Sequence, residues 1–552
     1  MKPGFLIILF SLLFILPVQS SASEVPNDTT YIFLKDYGLY KTRKKNATKY
    51  FYKALEDLKT DQPKVLVFST GTYHFYPDGC IIKDYSEGNT TNKNPKVCAF
   101  HFENIKNLVI DGRGSRLIFH QEMQPFTFDN CQNITLKNLI IDWEQPFVAQ
   151  VEILRVTDHY IDIGLDPKES PYRLVEGKIF FDVGNGNSNE WNGTLEFDRK
   201  GRFIVPQTGE NPCLGKDWDL YHAEPTMPGI VRLHFEFQRK PQIGNYLVMT
   251  HSVSSQAGVF IHQSEHTEIN NLRIFHSAGP GIIANRCNDL TIDRYQAIPN
   301  RSNNRYFSGL SNGLQLANCK GDIEIKNCTF QGLMGDAIVS GNSTFKSNGE
   351  LNDINTNSEL LTIANNNFNS CRGSGIVLTT AGTVEIKNNT FETSGSAVLI
   401  TAEPKNSHQT EAIKEVTIAN NTFKAYCNSS TYNLCEAVIS VFPTIPEINE
   451  KSLPYNKNIS IVSNQFNPFD FPLIYALSVN GLVFNNNTIT ENLEFEPFHD
   501  RQYNFSFDYC RNITVTGNIF SDDVRGKNML LKKTSPDQLK TDLAETFSIE
   551  RY

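Results

Sequence analysis

The second half of the chain repeats itself, and the period leaves few folds open. The stretch "EIKNCTFQGLMGDAIVS" from Glu324 is followed by "TIANNNFNSCRGSGIVL" from Thr362, "EIKNNTFETSGSAVLIT" from Glu385 and "TIANNTFKAY" from Thr417. "SIVSNQFNPFDFPLIYAL", "VFNNNTITENLEF" and "TVTGNIFSDD" continue the series. Each unit joins a short alternating stretch to an Asn-rich turn, a Phe or Ile, a polar corner and a second apolar stretch. Phe368 and Phe391 stand about 23 residues apart, the length of one solenoid coil. Strands this short, with no helical segment between them, predict an all-β parallel β-helix and argue against a leucine-rich or helical repeat. Asparagine suits its turns because it tolerates left-handed backbone, bonds to neighbouring main chain, and can stack from coil to coil.

Earlier coils are legible in "NLVIDGRGSRLIF", "ITLKNLIIDWE" and "TEINNLRIFHSAGPGIIANRCNDLTIDRY". The segment "NATKYFYKALEDLK" offers Asn46 as an N-cap and Phe51, Leu55 and Leu58 at helical spacing, so a helix is expected to cap the first coil. Between residues 150 and 256 the pattern changes. There "QVEILRVTDHYIDIGL", "GTLEFDRKGRFIV", "IVRLHFEFQ" and "GNYLVMTHS" alternate in period two across tight turns, which predicts an inserted antiparallel β subdomain. At the far end "SPDQLKTDLAETF" places Leu539, Leu543 and Phe547 on one helical face, predicting a short terminal helix. The expected organisation is therefore a leader at 1–23, cap helix and first coils at 24–149, the insert at 150–256, the main β-helix at 257–525, and a tail with a short helix at 526–552.

The leader follows from Met1-Lys2, the apolar run "GFLIILFSLLFILPV" and the small residues between Val18 and Ser23, a secretion signal in form. No later segment is apolar enough to span a bilayer, so a protein that is secreted and extracellular, or held in the lumen of the secretory or lysosomal pathway, is expected. The net charge of −9 offers no basic stripe for phosphates and argues against nucleic acid. Roughly fifteen Asn-x-Ser/Thr sequons, among them Asn46, Asn133, Asn192, Asn388, Asn420, Asn458, Asn486 and Asn512, are glycosylation candidates, though turn chemistry accounts for most of them. Of 11 cysteines, Cys80 with Cys98 and Cys427 with Cys435 are close enough in sequence to close loops as disulfides, while Cys328 and Cys371 read as buried thiols. No CxxC spacing is present, and His251, His262 and His276 lack ligand spacing with a supporting acid, so no metal and no cofactor is expected. Trp143 reads as core. Trp191 and Trp218 could stack on sugars.

Aligning the repeats on their Phe residues produces a column. Asp336 in "GDAI" meets Asn312 in "SNGL" and Pro280 in "GPGI" on one side. On the other it meets Ser374 in "GSGI", Ser396 in "GSAV", Glu436 in "CEAV" and Pro472 in "FPLI". Coils of such a sheet lie about 4.8 Å apart, so column neighbours nearly touch. Glycosidic hydrolysis wants two carboxyl groups, about 5 Å apart for retention and about 6.5–9.5 Å for inversion. The column supplies one, with Glu436 some three coils away. Glu403, in the loop "LITAEPKNSHQ", is the helper outside the column.

From "DYGLYKTRKKNATKYFYKALEDL" to "GNIFSDD" the chain resembles the α-1,3-galactosidases of glycoside hydrolase family 110. The motifs that carry the likeness are "IDGRGSRLIF", "IDWEQPFVAQV", "NRYF", "CKGDIEIKN", "GLMGDAI", "AVISVFPTIPE" and "LIYALSVNGLVFNNNTITENLEFEPFH". The resemblance implies a right-handed, pectate-lyase-like β-helix with an inserted β-barrel, and inverting catalysis by a cluster of aspartates. Two adjacent ones belong where Gly335-Asp336 stands and a third at Asn312, with a histidine near Gln315; only Asp336 is retained. Glu403 falls where the family also has an acid. Arg305 of "NRYF" and His499 of "EPFHD" match positions near the sugar site.

Two readings follow. In one, the chain has lost hydrolysis and binds a glycan or galactoside-bearing glycoconjugate, or has an extracellular structural role, with Asn312, Gln315 and Asp336 as hydrogen-bonding groups. In the other, it is an active inverting exo-glycosidase on terminal α-galactosides, using Asp336 and Glu403. A polysaccharide lyase would need a calcium-binding acid cluster beside a basic residue, which the sequence does not display.

Overall fold

A computed structural model describes the chain except residues 1–27, 41–43, 86–93, 185, 207–219, 236–238, 253–255, 342–345, 348–349, 352–357, 380–381, 402–412, 425–426, 428–435, 444–447, 449–453, 471 and 498–502. The predicted leader, Glu403, Cys435, His499 and Trp218 all fall outside the described residues.

The chain winds as a right-handed parallel β-helix with three strand-bearing faces. One coil runs through Lys320–Lys326, Thr329–Gln331 and Ile338–Gly341, and each strand pairs in parallel with its counterpart in the next coil at Ser358–Ala364, Asn367–Asn369 and Ile376–Leu378. The same register runs on through Thr383–Lys387, Thr390–Glu392 and Val398–Ile400. Alternation decides which side chains go in. Ile323 and Ile325, Leu361 and Ile363, Val384 and Ile386, and Val416 and Ile418 stack one above another in a single core. Burying each contributes on the order of 1.5–3 kcal/mol. At the next corner Phe330, Phe368, Phe391, Phe423 and Phe466 form a continuous ring stack with centroids 4.5–5.4 Å apart.

Between the first and second faces the repeated asparagines do two separate jobs. The outer one takes left-handed backbone, as at Asn365, Asn388, Asn420 and Asn486, all near φ +57° (+55° to +59°). The inner one joins a buried ladder through Asn366, Asn389, Asn421, Asn464, Asn487 and Asn518. Each amide oxygen accepts from the previous coil's main-chain N–H at 2.8–2.9 Å; each amide nitrogen donates to a carbonyl and to the next rung, except that of the last, Asn518, which donates to Phe484 O and Thr516 O. The sequon candidates Asn133, Asn388, Asn420, Asn458, Asn486 and Asn512 are all exposed residues with positive φ, three at bends and three near the start of strands, so backbone geometry accounts for asparagine at each. Asn46, expected as the N-cap, stands one residue before the N-cap Ala47, and its Oδ1 accepts from Thr48 N at 3.0 Å.

That helix, Thr48–Leu55, buries Phe51 against Phe100 and Phe102 and closes the first coil as its apolar spacing predicts. The opposite end differs from expectation. The segment holding Leu539, Leu543 and Phe547 forms a single turn of 3-10 helix at Pro536–Gln538 and then strands. Leu539–Thr541 pairs with Ile513–Val515, and Ser548–Arg551 with Asn528–Leu531. A helix there would leave two sheet edges unpaired, and pairing them outweighs the helical spacing.

The insert leaves the β-helix after the strand Gln132–Trp143 and returns before Val259–His262. Its main sheet is antiparallel and six-stranded, from Val148–Val156 to Tyr246–Thr250, with a smaller three-stranded sheet beside it. Val151, Ile153, Ile161, Ile163, Val231 and Leu233 form its own core around Trp191. A second cluster, joining Val148, Leu195, Phe197, Ile204 and Val248 to Tyr306 and Phe307, welds it to the solenoid. Trp143 is core, as expected.

Cys80 and Cys98 are separate thiols rather than the expected disulfide. The hairpin register sets Cys98 opposite Ile81, and each thiol donates to its own carbonyl, Cys80 to Tyr76 O and Cys98 to Lys96 O. Cys427, Cys328 and Cys371 are likewise buried thiols.

The ladder predicts a contrast between neighbouring asparagines. Asn421→Ala strands the buried N–H of Asn389 and should lower stability by about 3 kcal/mol. Asn420→Gly, at the exposed left-handed position, should change it by less than about 0.5 kcal/mol. Denaturant unfolding of the two variants checks this; equal losses would contradict it.

Candidate functional site

The corner between the second and third faces carries the candidate chemistry. Main-chain bonds stack it in order. Gly281 N donates to Asn312 O, Gly313 N to Asp336 O, Ala337 N to Ser374 O and Gly375 N to Ser396 O, all at 2.9–3.0 Å. Pro280, Asn312, Asp336, Ser374 and Ser396 are therefore vertical neighbours, as the repeat alignment predicts. Glu436 is not in that line. Ile439 pairs with Val398, which puts Ala437 in the column and Glu436 one residue outside it. The cause is an irregular corner, where Val438 O accepts from both Ala397 N and Val398 N.

Side chains extend the ladder. Asn312 Oδ1 accepts from Asp336 N at 2.9 Å, and Asp336 Oδ1 accepts from Ser374 N at 2.6 Å. Asp336 does for Ser374 what Asn312 does for Asp336. Glycines make room for this: a Cβ at Gly373 would lie 2.4 Å from Asp336 Oδ1, and one at Gly335 would lie 2.3 Å from Asn312 Oδ1 and 2.8 Å from Asn312 N. Position 335, where the resemblance calls for an aspartate, has no space for a side chain while Asn312 holds its place.

Burial pushes the Asp336 carboxyl up from 3.8 to about 6, and the main-chain N–H groups of Ser374 and Asp336 itself oppose the shift without cancelling it. At neutral pH the group is mostly ionised, yet it takes a proton far more readily than an exposed aspartate.

Beside this corner, at the junction with the insert, lies a cleft of about 360 Å³ lined by Leu310, Ser311, Met334, Gly335 and Arg372 from the coils and by Asn192, Thr250 and Ser252 from the insert. Asn192 Oδ1 accepts from Thr250 Oγ1 at 2.6 Å. Arg372 is half-buried, donates to Met334 O, and desolvation draws its pKa below the ordinary guanidinium value. Arg372, Thr250 and Ser252 went unremarked in the sequence and Asn192 was marked only as a sequon, since nothing local ties them to the site; only the docking of the insert brings them to the corner.

Other expected site residues lie elsewhere. Gln315 sits on the outer side of the third face, between Ile283 and Val339 of the adjoining coils and three positions along from Asn312. Arg305 is a structural clamp: it is 3% exposed and donates to Asp142 Oδ1 at 2.8 Å and to Trp143 O at 3.3 Å. Asp142 also accepts from Asn300 Nδ2, so the "IDWE" and "NRYF" motifs meet in one buried network at the wall of a second cavity, of about 650 Å³. His276 accepts from Phe147 N and is core.

The insert matches the family model for GLAA-B β-barrel domain I over residues 149–247. The whole chain is 33% identical to α-1,3-galactosidase B of Bacteroides thetaiotaomicron, covering 94% of this chain and 96% of that protein. It is 26% identical to α-1,3-galactosidase A of Bacteroides fragilis, covering 95% and 97%. Among solved structures it is similar to an exopolygalacturonase from Thermotoga maritima, at 12% identity and a TM-score of 0.45, covering 91% of this chain and 93% of that one. A β-helix carrying this barrel is a protein of the glycosidase-like kind. The chain belongs to the α-1,3-galactosidase family.

The raised carboxyl gives a pH test. Between pH 3.8 and about 6 the folded chain holds a proton that the unfolded chain has released, so stability conferred by this group falls as pH rises through that window. Asp336→Asn removes the titration and keeps the acceptor for Ser374 N. Thermal midpoints of variant and wild type should converge near pH 4, with the variant the more stable above about pH 6. A gap independent of pH would contradict the shift.

Proposed function

We propose that this family member, secreted by way of its apolar leader, binds a terminal α-linked galactoside in the cleft beside Asp336 and does not hydrolyse it efficiently. The observation that carries this reading is the corner itself, where the one carboxyl of Asp336 lies between Asn312 and Ser374, with glycine at 335. Inversion needs a proton donor on one side of the glycosidic bond and a base to activate water on the other. Asparagine and serine in the adjacent rungs do neither. Asn192, Ser252, Thr250, Ser311 and Arg372, which line the cleft, carry donors and acceptors suited to sugar hydroxyls.

One observation favours a second reading. A carboxyl with a pKa of about 6 suits a general acid, and Glu403 of the sequence would then have to supply the base. An α-1,3-linked digalactoside separates the two. The first reading expects saturable binding by calorimetry, weakened by Arg372→Ala, and no release of galactose from wild type or Asp336→Asn. Release by wild type that falls at least about 100-fold in Asp336→Asn would establish the second reading. Neither binding nor release would sink both.

The packing also predicts the outcome of restoring the family's acid. Gly335→Asp forces a Cβ against Asn312 and should destabilise the fold by about 2 kcal/mol without restoring turnover, as unfolding and galactose-release assays would register. Turnover in that variant would contradict the account of position 335.

A further inference from the structure

At the N-terminal end of the solenoid, far along the chain from Asp336, three consecutive coils bring His74, His120 and Glu144 together. His74 lies in the strand Thr72–Phe75, His120 directly follows Lys106–Phe119, and Glu144 directly follows Gln132–Trp143. His74 is in register with Ile118, and Ile118 with Asp142. His120 and Glu144 therefore stand two positions further along the next two coils, pointing to the same side.

The two rings meet nitrogen to nitrogen. His74 Nδ1 is 3.0 Å from His120 Nε2, and one ligand atom from each of the three residues lies within 4.8 Å of the others. Two nitrogens bound to one tetrahedral zinc at 2.0–2.1 Å stand about 3.3 Å apart, so the two imidazoles already hold close to the separation that sharing an ion requires, and a turn of the rings would aim both lone pairs at it. Their orientation is built in: His74 is buried, and the Tyr76 ring lies flat on His120 with centroids 3.9 Å apart and planes 6° off parallel. Glu144 is exposed and free to swing inward, and its carboxylate already holds a cation, the Lys44 ammonium at 2.6 Å.

We propose that His74, His120 and Glu144 form a binding site for a divalent first-row transition ion of the zinc type, which displaces Lys44 from Glu144 and staples three successive coils together. Two imidazoles and one carboxylate leave a fourth tetrahedral position to solvent. The donor set disfavours calcium and magnesium, which take oxygen ligands. The site lies apart from the galactosidase-like corner and does not depend on how that corner works. An ion bound only by the folded coils raises their stability by mass action.

The test uses the full chain, free of any histidine tag and stripped by chelator, titrated with Zn²⁺ in a calorimeter with bound metal counted by mass spectrometry. One equivalent should bind, with Mg²⁺ failing to compete, and the thermal midpoint should rise with Zn²⁺. His120→Ala should weaken binding at least about 100-fold and Glu144→Gln at least about 10-fold. Lys44→Met should tighten it. Glu144→Gln alters an exposed side chain, so its result does not hinge on whether the His120 variant folds. Absence of binding, or binding of unchanged affinity in both variants, would overturn the proposal.

Discussion

Everything in this molecule rests on the main-chain hydrogen bonds that hold each coil in register with the next. They convert a sequence period into vertical columns and fix which side chains become neighbours. Aliphatic residues form the core columns, phenylalanines a ring stack and asparagines an internal polar ladder. The ladder matters because a corner must turn the chain inside a dry interior, where each N–H left without a partner is costly. The inner asparagine of each turn satisfies the N–H of the coil beside it and a carbonyl as well. Polar and apolar columns thus stabilise the same register, so local preference and global fold agree.

The candidate site is a variation on that ladder. Asn312 and Asp336 also use their side-chain oxygens as coil-to-coil acceptors, but each takes an N–H from the following coil where the inner asparagines take one from the preceding coil. The carboxyl at 336 is therefore both a rung of the scaffold and the corner's ionisable group. Its raised pKa follows from the desolvation that comes with its place in the corner. The same packing that positions it removes the room at Gly335 for a companion. Glycine at 335 is thus fixed by the steric fit of the corner.

Much of this was legible in the sequence because the period constrains so strongly. The solenoid, the cap helix, the insert and the column through Asn312, Asp336 and Ser374 all follow from spacing. Failures came where one local signal had two physical outcomes. Leu539, Leu543 and Phe547 have helical spacing, yet the last coils needed partners for their edges and the segment became strand. Glu436 slipped by one because an irregular corner adds a residue that alignment cannot see. Cys80 and Cys98 are close in sequence, but register sets the thiols on separate contacts. Arg305 had the chemistry of a sugar ligand, and only the structure reveals Asp142 already holding it. The meeting of His74, His120 and Glu144 depends on stacking across three coils of unequal length, so no spacing in the sequence announces it.

The central claim is that a sugar bound at this corner would face one carboxyl group. A crystal structure of the chain soaked with an α-1,3-linked galactoside tests it most directly. The account predicts an intact disaccharide with its glycosidic oxygen near Asp336 and no second carboxylate within about 6.5–9.5 Å across the ring. A glutamate or aspartate standing opposite Asp336 at that separation, with free galactose in the cleft, would contradict it.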